Sequence, residues 1–478
     1  MTGTSLRGRR FMNNFLLLSA AEVLSKGLSF VATVHLARVL GAEGFGIVSF
    51  CNALLFYFML SVNGGFDLLG MREITRHRAS LRQYVENILA MRLVLAALAL
   101  CLLMLCSLAL FKTPAAQPIL RLYGLTLFSY ALSVGWAFQA TARVGVVAIG
   151  NIGTQLIFAG AVLWLVNGPL DLWRVPVAQF TAELCAMAII AAKYRHAFGA
   201  LRCRCDPALW KFIWLQGLPI GLSLMMSVIM LNLDAVILGF MKGPQVVGWY
   251  SAAYRLVLLL LGFNTLYHMT LLPLIAQYAR GQHDQVKTLI GLSLRVTAML
   301  AVPLGVGGVF MARPLMEWAY GESYARGVPA LQILICGVTF TVIRLHYRNT
   351  LLAFDEQKTH LKLVIFGALI NTALNFMLIP KLSLIGAAIA TTCAEAIILW
   401  KAAADVKRQV TAIPFLAALG KPALAASVMA LSLAFIPAGA HLFLRILAGA
   451  GIYFAVLFML NGISLKDIRD LYGYVQTQ

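Results

Sequence analysis

The sequence predicts an all-α membrane protein of about fourteen transmembrane helices: two six-helix pseudo-repeat bundles followed by two C-terminal helices. Three observations carry this expectation. Only 12% of the 478 residues are charged and 61% are hydrophobic, with a mean hydropathy of +0.85, whereas a soluble protein carries about 25% charged residues. The apolar residues fall into runs long enough to cross a bilayer, which takes roughly 20 helical residues. Lysine and arginine alternate in abundance between successive loops, as the preference of basic loops for the cytoplasmic side requires.

In chain order the apolar segments are 12–38, 44–69, 87–111, 117–140, 147–167 and 174–192, then 211–239, 246–272, 288–312, 328–350, 361–380 and 383–402, and finally 413–436 and 441–462. The first six form an N-terminal bundle over residues 1–192, residues 193–210 a basic cytoplasmic linker, and residues 211–405 a second six-helix bundle. Residues 406–478 hold helices 13 and 14 and a cytoplasmic tail. The first segment follows Arg7, Arg9 and Arg10 but contains Glu22 and Lys26. No small-residue cleavage site follows it, so it reads as a membrane helix and not as a signal peptide.

The stretch from Arg38 to Arg82 sets the orientation. A turn with Gly41, Gly44 and Gly46 opens a long apolar run, which stops at Arg72, Arg76, Arg78 and Arg82. With the N-terminus inside, 24 lysines and arginines fall in cytoplasmic loops and 9 in outer loops, and both termini are cytoplasmic. The formal charge of +20 would suggest nucleic acid in a soluble protein; here the excess sits in the loops, and no nucleic-acid partner is expected. Residues 11–78 and 211–280 share a layout of long helix, glycine turn, long helix and basic stop. Gly46 and Ser49 align with Gly248 and Ser251 at a constant offset of 202. Two similar halves are typical of transporters.

Candidate functional residues are the charges inside apolar spans, each costing several kcal/mol in lipid. Lys26, Arg92, Arg255, Arg295 and Arg344 are the basic ones. Lys26 and Arg255 lie deepest; Arg92 and Arg344 lie near the cytoplasmic ends, where a long side chain can snorkel. One reading makes them structural pairs, with Glu22 one turn from Lys26. The other makes them the lining of a cationic cavity that attracts a phosphate or pyrophosphate. Glu22, Asp234 and Glu395 are candidates for coupling to a proton or sodium gradient, with structural pairing as the competing role. Gly64–Gly65, Pro219, Pro273 and Pro303 are helix breakers, which serve either as static kinks or as moving parts. Cys203-x-Cys205, with only His196 nearby, is a weak metal signal; no metal and no cofactor beyond a coupling ion is expected. No Walker A, H-E-x-x-H or G-x-S-x-G pattern is present, which argues against an enzyme.

The stretches LGAEGFGIVSF, NGGFDLLGMREITRHR, GWYSAAYRLVLLLLGFNTLYHMTLLPLIAQYARG and PKLSLIGAAIATTCAEAI resemble the hairpins of the Wzx-type polysaccharide flippases. Their superfamily also includes multidrug antiporters and the lipid II flippase. The resemblance implies two bundles around a cavity that opens alternately to each side of a bacterial inner membrane. It implies a cargo of undecaprenyl-pyrophosphate-linked oligosaccharide, moved to the periplasmic leaflet for O-antigen, capsule or exopolysaccharide synthesis. A polysaccharide polymerase and a chain-length regulator are candidate partners. Arg255, inside SAAYRL, is the cationic residue that the resemblance itself picks out. The alternatives are a cation-coupled multidrug exporter of the same fold, a membrane polysaccharide polymerase or ligase, and a non-transporting scaffold.

Overall fold

A computed structural model of the chain describes residues 2–109, 114–279, 283–410, 415–436 and 441–462. The predicted tail after residue 462, Arg280 and Lys112 lie outside them. Among the described residues all regular structure is helical. The helices are α1 (Thr2–Asn63), α2 (Phe66–Arg76), α3 (Leu81–Ala109), α4 (Ala116–Gly124), α5 (Thr126–Ala131), α6 (Gly135–Ala140), α7 (Val144–Leu165), α8 (Arg174–Phe198), α9 (Pro207–Lys242), α10 (Pro244–Ala279), α11 (His283–Tyr320), α12 (Val328–Ala353), α13 (Gln357–Gln409), α14 (Phe415–Phe435) and α15 (Leu442–Met459).

Eleven segments among the described residues are apolar and long enough to cross a membrane. Two of them are too long for one crossing. The segment Ala20–Arg76 has 57 residues and Gln357–Gln409 has 53; at 1.5 Å per residue each would extend about 80 Å, against a hydrocarbon core of about 30 Å. Each is bent within its length, α1 at Gly41 (φ 68°, ψ 178°) and α13 at Ser383 (φ 55°, ψ −132°). The predicted helix over 117–140 is instead divided into α4, α5 and α6, with a break around Leu132–Val134.

The repeat seen in the sequence has a backbone counterpart. Gly243, between α9 and α10, adopts φ 89° and ψ 172°, close to Gly41 and 202 residues after it. A Cβ is poorly accommodated in this region of conformational space. Five residues beyond each turn, Gly46 and Gly248 meet across a backbone contact: a Cβ on Gly46 would lie 2.8 Å from the Gly248 nitrogen and on top of the Pro244 carbonyl.

The chain divides into two compact units, Met1–Gly248 and Trp249–Gln478. The division falls at the start of α10 and not at the 193–210 linker, because α9 packs with the first unit. Glycine makes that packing close: Gly239 of α9 lies on the Phe50 ring, and Gly217 and Gly221 lie on Gly64 and Phe66. The first unit also has an apolar core from α2, α3, α6, α8 and α9, centred on Phe66, Leu69, Ile88, Trp136, Phe138 and Ile213. In the second unit α14 and α15 pack on α11 through Met299, Met311, Met429, Leu433 and Tyr453, and the Tyr453 hydroxyl donates to the Met299 carbonyl at 2.9 Å. They are part of the unit's core.

The surface is inverted relative to a soluble protein. Leu98, Leu102 and Leu105 of α3 and Phe435, Phe458 and Met459 near the C-terminus are exposed, while alanines such as Ala32, Ala37, Ala387 and Ala425 are buried at helix contacts. Small residues at helix interfaces and large apolar ones facing outward are what lipid as solvent selects. The chain is a multi-pass membrane protein.

Candidate functional site

In the first unit the polar residues converge on a break in the helix. Gly64 and Gly65 have positive φ (53° and 79°), ending α1 and starting α2 at a new angle. The change of direction places Asn63 and Asp67 beside Arg92 of α3. Arg92 is 1% exposed. Its Nη2 donates to Asp67 Oδ1 at 2.5 Å and to Asn63 Oδ1 at 3.0 Å, and its Nη1 to the Ser133 carbonyl at 3.3 Å. Asn63 Nδ2 donates to the Tyr130 hydroxyl at 2.9 Å, and the guanidinium stands 5.7 Å from the Tyr130 ring centre. Beside this network the Ser129 hydroxyl donates to Glu183 Oε2 at 2.5 Å and Gln179 Nε2 to Glu183 Oε1 at 3.1 Å. Arg92 is therefore an ion-paired, buried group rather than a side chain that snorkels to the interface.

Lys26 and Glu22 pair with each other at 3.1 Å, and both side chains are about half exposed (45% and 52%). Asp234 of α9 is 2% exposed and within electrostatic reach of Tyr57. In the loop after α8, Cys203 and Cys205 are both exposed; partial desolvation, and then Cys205 and Glu86, push the Cys203 thiol above its ordinary range.

In the second unit Arg255 of α10 is partly exposed and lies within electrostatic reach of Tyr320 at the end of α11. Arg295 of α11 is exposed. Arg344 of α12 is held by both carboxylate oxygens of Glu395 in α13, Nε at 2.6 Å and Nη2 at 3.2 Å. The structure thus joins Arg344 to Glu395, two residues that the sequence suggested for separate roles. It adds Asn63, Asp67, Tyr130 and Tyr320, which sequence reasoning missed. A signal for Asp67 was available: an arginine inside an apolar span needs an acid, and the Gly-Gly break has one two residues beyond it.

The polysaccharide biosynthesis protein family matches residues 11–279, and the lipid II flippase MurJ family matches residues 176–460. Each match covers more than half of the chain. The chain belongs to the polysaccharide biosynthesis protein family, as a flippase of the Wzx type. This polysaccharide biosynthesis protein is similar to one named "Probable flippase AglR" of Haloferax volcanii, 29% identical over 252 residues, which are 50% of the chain and 52% of the relative. The chain thus spans about half the length of that relative. It is similar over more of its length to "Probable low-salt glycan biosynthesis flippase Agl15" of the same organism, 21% identical over 392 residues and 80% of each chain. The family fold is that of a solved lipid II flippase MurJ in an inward closed conformation, with a TM-score of 0.80 at 15% identity over 96% of this chain and 100% of that one. These relatives are named as flippases, not as enzymes, and the polymerase or ligase reading falls away.

Proposed function

We propose that this flippase carries undecaprenyl-pyrophosphate-linked glycan units from the cytoplasmic to the periplasmic leaflet of a bacterial inner membrane. It does so by alternating access, for O-antigen, capsule or exopolysaccharide synthesis, with a polymerase and a chain-length regulator as its partners. Both termini are cytoplasmic. The chain crosses fourteen times: the two bent segments count twice, and residues 116–140 supply one more crossing.

The observation that carries this reading is the accessibility of Lys26, Arg255 and Arg295. Each lies within an apolar span, and none is buried by protein. A cation facing hydrocarbon is costly; a cation facing a hydrated cavity is not, and there it meets phosphate oxygens with charge-assisted hydrogen bonds. Arg92 and Arg344 are buried or nearly so, each already met by a carboxylate. Glu22, Asp234 and Glu395 couple the cycle to a proton or sodium gradient. A multidrug exporter handling organic cations is disfavoured by the same three basic residues.

The test is transbilayer movement of a labelled polyprenyl-pyrophosphate oligosaccharide in proteoliposomes. Wild type should move it, Arg255→Ala should not, and both should be present in equal amount. Movement unchanged in Arg255→Ala would remove that residue from the cargo site. Movement that ignores an imposed ion gradient in wild type would make the three acids structural.

A further inference from the structure

The second unit holds a basic group that the cargo reading does not use. Arg348 follows Arg344 by one turn on the same face of α12, and His360 lies in the first turn of α13. Glu395 meets the charge of Arg344. Arg348 has no such partner: among the described residues no carboxylate lies within 4.0 Å of it. Its Nε and Nη2 share one neutral acceptor, Asn349 Oδ1, at 3.3 Å each. A guanidinium has five N–H donors, so several remain unanswered. The acids nearest in the chain, Asp355 and Glu356, are not paired with it, and Glu356 accepts from Thr359 at 2.9 Å.

The neighbours of Arg348 make the deficit larger. Arg344 is within electrostatic reach of it and adds positive potential, and His360 lies within reach of both arginines. Asn349, at 2% exposure, fixes one edge of the guanidinium and leaves the rest half-buried. A planar fork of donors, held in place and met by no carboxylate, is matched to an oxyanion. The cluster sits where α12 turns into α13, the side that the basic-residue distribution puts in the cytoplasm. Basic pockets between transmembrane helices on that side take lipid head groups.

We propose that Arg348 and His360, backed by Arg344, bind a lipid-borne phosphate at the α12–α13 turn. The site needs only a phosphate on a lipid: either a phospholipid of the leaflet or the pyrophosphate end of a polyprenyl carrier. The leaflet-lipid source is independent of the cargo proposed above; the carrier source rests on that reading.

The experiment measures binding of short-chain phosphatidylglycerol, farnesyl pyrophosphate and, as the zwitterionic reference, short-chain phosphatidylcholine to the purified protein by native mass spectrometry. Arg348→Gln should weaken one of the two anionic ligands at least about tenfold with the unfolding temperature unchanged. Loss confined to phosphatidylglycerol assigns a leaflet-lipid site; loss of farnesyl pyrophosphate assigns a carrier site. Should Arg348→Gln fail to fold, Arg348→Lys keeps the charge and loses the fork, and should weaken the same ligand several-fold. Equal binding by wild type and the folded variants overturns the proposal, as does a wild type that prefers neither anionic ligand to phosphatidylcholine.

Discussion

Among the described residues, each unit sets one arginine–carboxylate pair between two α-helices, and the two are built differently. Arg92 and Asp67 meet at a helix break, with Asn63, Ser133 and Tyr130 completing the guanidinium's surroundings. Arg344 and Glu395 meet between α12 and α13, bidentate and self-contained, with a second arginine one turn away. The first pair holds a bend in place. The second neutralises one charge of a basic cluster and leaves the other available. A charged residue inside an apolar span is thus not one kind of signal: what it does depends on whether its partner uses up its hydrogen bonds.

The sharpest way to break this comparison is to neutralise each acid. Asp67→Asn strands the almost fully buried Arg92 and should cost about 3–5 kcal/mol. Glu395→Gln strands Arg344, which is 17% exposed, and should cost less. Thermal unfolding of both variants in one detergent checks the order; a larger loss for Glu395→Gln would mean that the bend does not depend on its ion pair. A smaller effect is expected from Gly65→Ala. Gly65 combines a φ of +79° with backbone atoms of Gly221 and Gly217 at 2.5 and 2.7 Å from a built Cβ. The strain and the clash together should cost about 2–4 kcal/mol, again read by thermal unfolding. The smallest effect belongs to Lys26 and Glu22. Replacing both with glutamine removes an exposed pair and should leave stability within about 1 kcal/mol. If these residues face the cargo path, the same double variant should lower transport several-fold in proteoliposomes.

The all-helical membrane fold and the first hairpin were legible in the sequence because hydropathy and glycine turns are local properties. The Gly46–Gly248 alignment was legible too, and the matching backbone of Gly41 and Gly243 extends it. The partners of the buried charges were not legible. Depth along a helix follows from counting residues, but the direction a side chain takes around the axis matters only against neighbours that are distant in sequence. Asp67 and Arg92 are 25 residues apart, and Arg344 and Glu395 are 51. The division into compact units was hidden for a related reason: α9 follows a basic linker, yet Gly217, Gly221 and Gly239 give it a fit on α1 and α2 that no loop composition reports. Division of the 117–140 segment at Leu132–Val134 had no proline or glycine run to announce it.

The elbow at Gly64–Gly65 has a mechanical consequence. Two glycines in succession would ordinarily act as a loose joint, free to straighten or fold. Here straightening would draw Asp67 and Asn63 away from Arg92 and abandon a guanidinium among apolar side chains, which is strongly unfavourable. Swinging the bent piece as a whole disturbs none of those bonds. The joint is therefore an angle bracket, and any stroke that passes through this helix is transmitted by rotation of a rigid crank, not by bending.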